Sequence, residues 1–96
     1  MKDVVVGVCR LELRMPESFS LKDKRRVVKS LLDRLHQRFN VSASEVGHQE
    51  HHKLAELAVV CVTTDSIHAN QVLQAAVAFV EADGRAILND FVTEIL

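Results

Sequence analysis

The chain has 96 residues, of which 48% are hydrophobic and 26% charged, with a formal net charge of −1. These proportions exclude a disordered chain, and the length predicts one domain over residues 1–96 whose core needs no disulfide or metal staple. No apolar run approaches membrane-spanning length, and MKDVVVGVCRLEL at the start is too short and too charged for a signal peptide, so a cytoplasmic setting with no membrane partner is expected.

Val4 to Met15 reads as a strand. Its odd positions Val5, Gly7, Cys9, Leu11, Leu13 and Met15 form one apolar face. The even positions begin as Val4, Val6 and Val8 and finish as Arg10, Glu12 and Arg14, so the second face is half apolar and half charged. Pro16 ends the strand. Ser20 is a helix N-cap with Asp23 three residues on, and Val28, Leu31, Leu32, Leu35 and Phe39 recur at helical spacing. Asn40 is a stop signal.

Val41 to Gly47 predicts a short strand, and His48 to Lys53 a polar loop. Leu54 to Thr63 is apolar on both faces and rich in β-branched residues, the pattern of a central strand. Thr64, Asp65 and Ser66 offer caps for a second helix with a core stripe of Ala69, Leu73, Ala76, Val77 and Val80. Gly84 follows where helices favour a left-handed stop, and Arg85 to Leu96 closes the chain as a last strand.

The order β-α-β-β-α-β predicts an α+β fold of ferredoxin-like type, with two helices on one face of a four-stranded antiparallel sheet. The other sheet face then presents Val4, Val6 and Val8. A bare apolar face of this kind meets a partner, and a second copy of the chain is the expected one.

Charge is unevenly placed. Ser20 to Phe39 holds seven Lys and Arg against two Asp, a formal +5, while the remainder carries five basic against eleven acidic residues, a formal −6. With Val28 at zero on the helical wheel, Arg25 falls at about 60°, Lys29 at about 100°, Lys22 at about 120° and Arg26 at about 160°. These four make one strip beside the apolar stripe, a candidate polyanion site; Arg34 and Arg38 lie on the opposite flank. A solvated face paired with the acidic remainder is the alternative. The four Phe, with no Tyr or Trp, fall mostly on or beside helices, which argues against bases stacked on the sheet.

Other constellations are weaker. His48, His51 and His52, with Glu45 or Glu50 nearby, match no established zinc spacing and read as a polar loop, so no metal is expected. Cys9 and Cys61 sit in strand-like runs without CxxC spacing and read as buried free thiols. Three glycines allow no phosphate loop. Gly7-Val8-Cys9-Arg10 is faintly similar to an acyl-phosphatase anion loop but falls inside a strand pattern. No catalytic residue and no cofactor is assigned.

RLELR (Arg10 to Arg14), SLKDKRRVVKSL (Ser20 to Leu31), RFNVSASEVGHQ (Arg38 to Gln49) and AELAVVCVTTD (Ala55 to Asp65) together make the chain similar to the YlxP-like family of small bacterial proteins, whose function is unknown. That resemblance implies a ferredoxin-like fold, a bacterial cytoplasmic setting and a link to ribosome maturation and translation, hence to RNA. It brings no activity. The expectation is a noncatalytic module that contacts RNA or the ribosome through its first helix. The alternative is a homo-oligomeric scaffold or small-ligand regulatory domain that uses the open sheet face.

Overall fold

A computed structural model describes residues 3–96. In chain order it contains β1 (Val5–Arg14), α1 (Leu21–Arg38), β2 (Ser42–Gly47), β3 (Leu54–Thr63), α2 (Ser66–Glu81) and β4 (Ile87–Ile95). The sheet order is β2-β3-β1-β4, with every neighbouring pair antiparallel. Both helices lie on one face, which is the ferredoxin-like arrangement that the element order predicts.

Local chemistry explains where the elements begin and end. Ser20 Oγ accepts the Asp23 N–H at 3.0 Å, and Asp23 Oδ2 in return accepts the Phe19 N–H at 3.1 Å. The reciprocal arm of the cap thus reaches one residue further back than in the usual box. Phe39, extended at φ −128°, ends α1, with its N–H still bonded to the Leu35 carbonyl. Of the three cap candidates for α2, Asp65 serves, its side chain accepting from the Ile67 N–H at 2.9 Å. Gly84 adopts φ +86°, two residues past the Ala82 cap, where a left-handed turn suits glycine.

The core lies between the sheet and the helices. Cys9, Leu11, Leu13 and Met15 from β1 and its end, and Ala55, Leu57, Val59 and Cys61 from β3, are buried on the helix side. Val28, Leu31 and Leu35 from α1, and Ala69, Leu73, Ala76, Val77 and Val80 from α2, close over them. Full burial of each large aliphatic side chain contributes about 1.5–3 kcal/mol before entropy is counted. Gly7 lets α2 approach closely, because a Cβ there would stand 3.0 Å from Leu73 Cδ1 and 3.2 Å from Cys61 Sγ. Both thiols are free and buried, and burial raises the Cys9 pKa.

The two edges of the sheet differ. β2 is short, and Val46 is bulged out between the pairs Glu45–Leu57 and Gly47–Glu56. β4 is nine residues long, and Asn89 is the extra residue between Leu13–Leu88 and Glu12–Asp90.

Candidate functional site

Lys22, Arg25, Arg26 and Lys29 are all exposed on α1. Lys29 bonds Asp33 one turn on, at 2.8 Å. Lys22, Arg25 and Arg26 have no carboxylate partner among the described residues. The strip occupies the amino-terminal half of the helix, where cations gain nothing from the helix dipole. Ser20 takes the Asp23 N–H, so part of the first turn is already capped from within.

Lys24 belongs to the same basic run but not to the strip. Its side chain is 0% exposed. The ammonium donates to the carbonyls of His48 at 2.7 Å, Leu54 at 3.1 Å and Gln49 at 3.3 Å. Three protons are thereby matched to three carbonyls. Glu45 Oε2 lies 3.0 Å away as counter-charge, but no donor is aimed at it. Glu45 reaches this point because it pairs with Leu57 on the helix side of the sheet. The wheel position of Lys24, about 40° from Val28 and between Leu31 and Leu35, was the available signal: a cation inside an apolar stripe must find buried oxygens.

A second lysine ties the same loop to the connection between β1 and α1. Lys53 Nζ donates to the carbonyls of Ser18 at 2.8 Å and Pro16 at 2.9 Å, and lies 4.3 Å from the Phe19 ring centroid. Its own carbonyl accepts the Met15 N–H at 2.8 Å. His48, whose carbonyl serves Lys24, has φ +58°, an uncommon value outside glycine. The polar loop expected over His48–Lys53 is therefore anchored to β1 and α1 by lysine.

The histidines of that loop are spread out. His48 Nε2 stands 3.3 Å from Glu12 Oε1, His51 Nδ1 accepts the Lys53 N–H, and the His51 and His52 rings stack at 5.9 Å. Among the described residues, no group of three His, Cys, Asp or Glu converges to hold a metal. Gly7 to Arg10 lies within β1.

The far end of α1 carries a different cluster. Asp83, its side chain only 2% exposed, accepts from Arg34 at 2.6 Å and from Arg85 at 2.7 and 2.8 Å. Arg85 also donates to Ser30 Oγ on α1. The Arg85 side-chain hydrogen bonds do most to hold the Asp83 carboxyl at about 2 against an ordinary 3.8; its backbone N–H and Arg34 add to this, and burial opposes it. Arg34 and Arg38 lie 4.9 and 5.4 Å from the Phe79 ring centroid, which places both in packing contacts between the helices.

On the open face, Val4 is 59% exposed, while Val6 and Val8 are half-buried. Register places Val62 opposite Val6 and Val60 opposite Val8. The other half of this face is ionic: Arg10 bonds Glu56 at 2.7 Å, beside Glu12 and Asp90. Phe91 pairs with Leu11 on the helix side, so among the described residues no aromatic side chain stands on the open face. No helix among the described residues is long and apolar enough to cross a membrane.

Comparison with known proteins agrees with this fold. A de novo designed protein, Foldit4, superposes with a TM-score of 0.56 at 12% identity, covering 98% of this chain and 97% of that one. A C-terminal segment of the alpha subunit of aIF2 from Pyrococcus abyssi gives 0.52 at 12% identity, covering 98% of this chain and 50% of that one. Such identities speak for the fold alone. In sequence, the chain is 31% identical over 78 residues to an uncharacterized protein, YlxP, of Bacillus subtilis (strain 168), covering 81% of this chain and 85% of that one. The family described as protein of unknown function (DUF503) matches residues 6–92, and the chain belongs to that family.

Proposed function

We propose that this protein is a noncatalytic module of the bacterial cytoplasm that binds RNA, free or within the ribosome, through Lys22, Arg25, Arg26 and Lys29. The observation that carries this reading is the contrast within one basic run. Lys24 and Arg34 are committed to internal carbonyl and carboxylate oxygens, whereas Lys22, Arg25 and Arg26 stand exposed and without carboxylate partners among the described residues. Cations on one strip repel each other mildly; the negative charge of a phosphate backbone relieves that repulsion, and release of its condensed counterions favours the binding. Contacts of this kind position a nucleic acid without reading its sequence.

The test is a titration of labelled RNA at several salt concentrations, with the unsubstituted protein and with Arg25→Gln/Arg26→Gln. The double variant is expected to bind every sequence more weakly, with the salt dependence flattened by roughly one slope unit per lost contact. Exposed charges contribute little to stability, so both proteins should unfold alike. Equal affinities, or no binding at low salt, refute the reading.

The apolar block of Val6, Val8, Val60 and Val62 favours a second reading: a homo-oligomer, or a small-ligand regulatory domain, that uses the open face together with Val4. Salt separates the two, since apolar docking does not weaken as salt rises.

A further inference from the structure

The two sheet edges are unequally protected. On β2 the outward N–H of Ala43 is taken by His36 Nε2 of α1 at 3.0 Å, and the strand is short and bulged. β4 has nine residues; its bulge at Asn89 falls near its start, and from Asp90 to Ile95 the strand runs on in register with no proline and no lysine to blunt it. The Leu96 N–H donates to the Val6 carbonyl at 2.8 Å, which sets the phase of the ladder. In an antiparallel pair that phase alternates, so Asp90, Val92 and Glu94 turn their backbone groups toward β1, while Phe91, Thr93 and Ile95 turn theirs outward. Asp90 Oδ1 satisfies the outward Phe91 N–H at 2.9 Å. The Phe91 carbonyl and both polar groups of Thr93 and Ile95 remain directed away from the sheet.

The side chains along this edge are sorted by face. Phe91, Thr93 and Ile95 lie on the helix side, with Phe91 47% exposed. Asp90, Val92 and Glu94 lie on the open side, and Asp90 pairs across the ladder with a third acid, Glu12. β4 contains no Lys or Arg, and neither Asp90 nor Glu94 forms an ion pair among the described residues. We propose that the β4 edge takes up an extended segment of a basic partner protein as a fifth strand, with Lys or Arg on alternate positions facing Asp90 and Glu94 and apolar residues between them facing Phe91 and Ile95. Strand addition supplies main-chain hydrogen bonds, and the alternation supplies specificity. A second copy of this chain does not fit the role. Its edge strands read SASEVG and ILNDFVTEI, without a cation, and its strand cations Arg10 and Arg14 are on β1, inside the sheet. The site is separate from the helical strip and independent of whether that strip binds RNA.

The probe is a labelled peptide of ten residues alternating Lys and Val, titrated into the full chain by anisotropy, with amide hydrogen exchange read at Thr93 and Ile95. Two controls accompany it: a Glu–Val alternating peptide, and the Lys–Val peptide with a central proline. Binding of the first peptide alone is expected, with exchange at Thr93 and Ile95 slowed at least tenfold. Asp90→Asn/Glu94→Gln is expected to weaken binding up to about thirtyfold, the product of up to about fivefold for each of the two cross-strand charge pairs. Thr93→Pro should abolish binding while leaving the β1 ladder intact, because the Thr93 N–H points away from it; circular dichroism checks its fold. Three outcomes overturn the proposal: unprotected Thr93 and Ile95 amides at saturating peptide, undiminished affinity in the Asp90/Glu94 variant, or concentration-dependent protection of those amides in the chain alone, which makes a second copy the occupant.

Discussion

Removing the Lys24 ammonium strands four oxygens at once: the carbonyls of His48, Gln49 and Leu54, and Glu45 Oε2. Breaking a buried ion pair from one side costs about 3–5 kcal/mol, because the remaining charge stays buried without compensation. Lys24→Met is expected to lose that much in urea unfolding. Lys24→Met/Glu45→Gln should recover part of it, since the uncompensated carboxylate is gone. A double variant no more stable than Lys24→Met refutes the pairing. Asp83 makes a pH prediction. Its folded pKa of about 2 is below the ordinary 3.8, so its contribution is complete above about pH 4 and is lost as pH falls through 2. That shift corresponds to about 2 kcal/mol. Asp83→Asn should lower stability at neutral pH by about 1–2 kcal/mol and remove this acid limb, as followed by thermal melts between pH 7 and pH 2.

At the scale of the element, α1 turns one basic sequence in two directions. Its inward face anchors the His48–Lys53 loop through Lys24, while on its outward strip Lys22, Arg25 and Arg26 are exposed and without carboxylate partners among the described residues. The position of the strip depends on where the helix starts. Ser20 and Asp23 cap each other's neighbourhood, and Ser18 Oγ also donates to the Ser20 carbonyl at 3.1 Å. Ser20→Ala is expected to cost about 1 kcal/mol and to fray the first turn around Lys22. Hydrogen exchange of the Asp23 and Lys24 amides measures it; unchanged protection would show that the Lys24 anchor alone holds the helix start.

For the whole molecule, the layered fold covers one sheet face and leaves the other bare. Helix cover is complete over β1 and β3 and thin over β4. The open face divides into the valine block around Val6 and Val60 and the ionic block around Arg10 and Glu56. An apolar block bordered by charge is the composition of a docking face. Light scattering at micromolar concentration is expected to give more than the monomer mass, and Val6→Asp to return the protein to a monomer. A monomer without the substitution refutes the oligomer and leaves the valines as a bare sheet surface.

The alternation in β1, the two apolar sides of β3, the Ser20 and Asp65 caps and both helical stripes were legible in the sequence, because periodicity and capping act between residues near in the chain. They determine which side of each element turns inward, and with the element order they determine the fold. Lys24 shows where that reasoning stops. Its wheel position lay in the apolar stripe, but three carbonyls from a loop 24 to 30 residues away decide that it is held there. Likewise Asp83 meets Arg34 across 49 residues, and β4, read simply as the last strand, becomes an edge with free Thr93 and Ile95 backbone groups. Only the tertiary structure separated the buried cations from the free ones, because ion pairing and edge exposure depend on distances between elements that local periodicity does not encode.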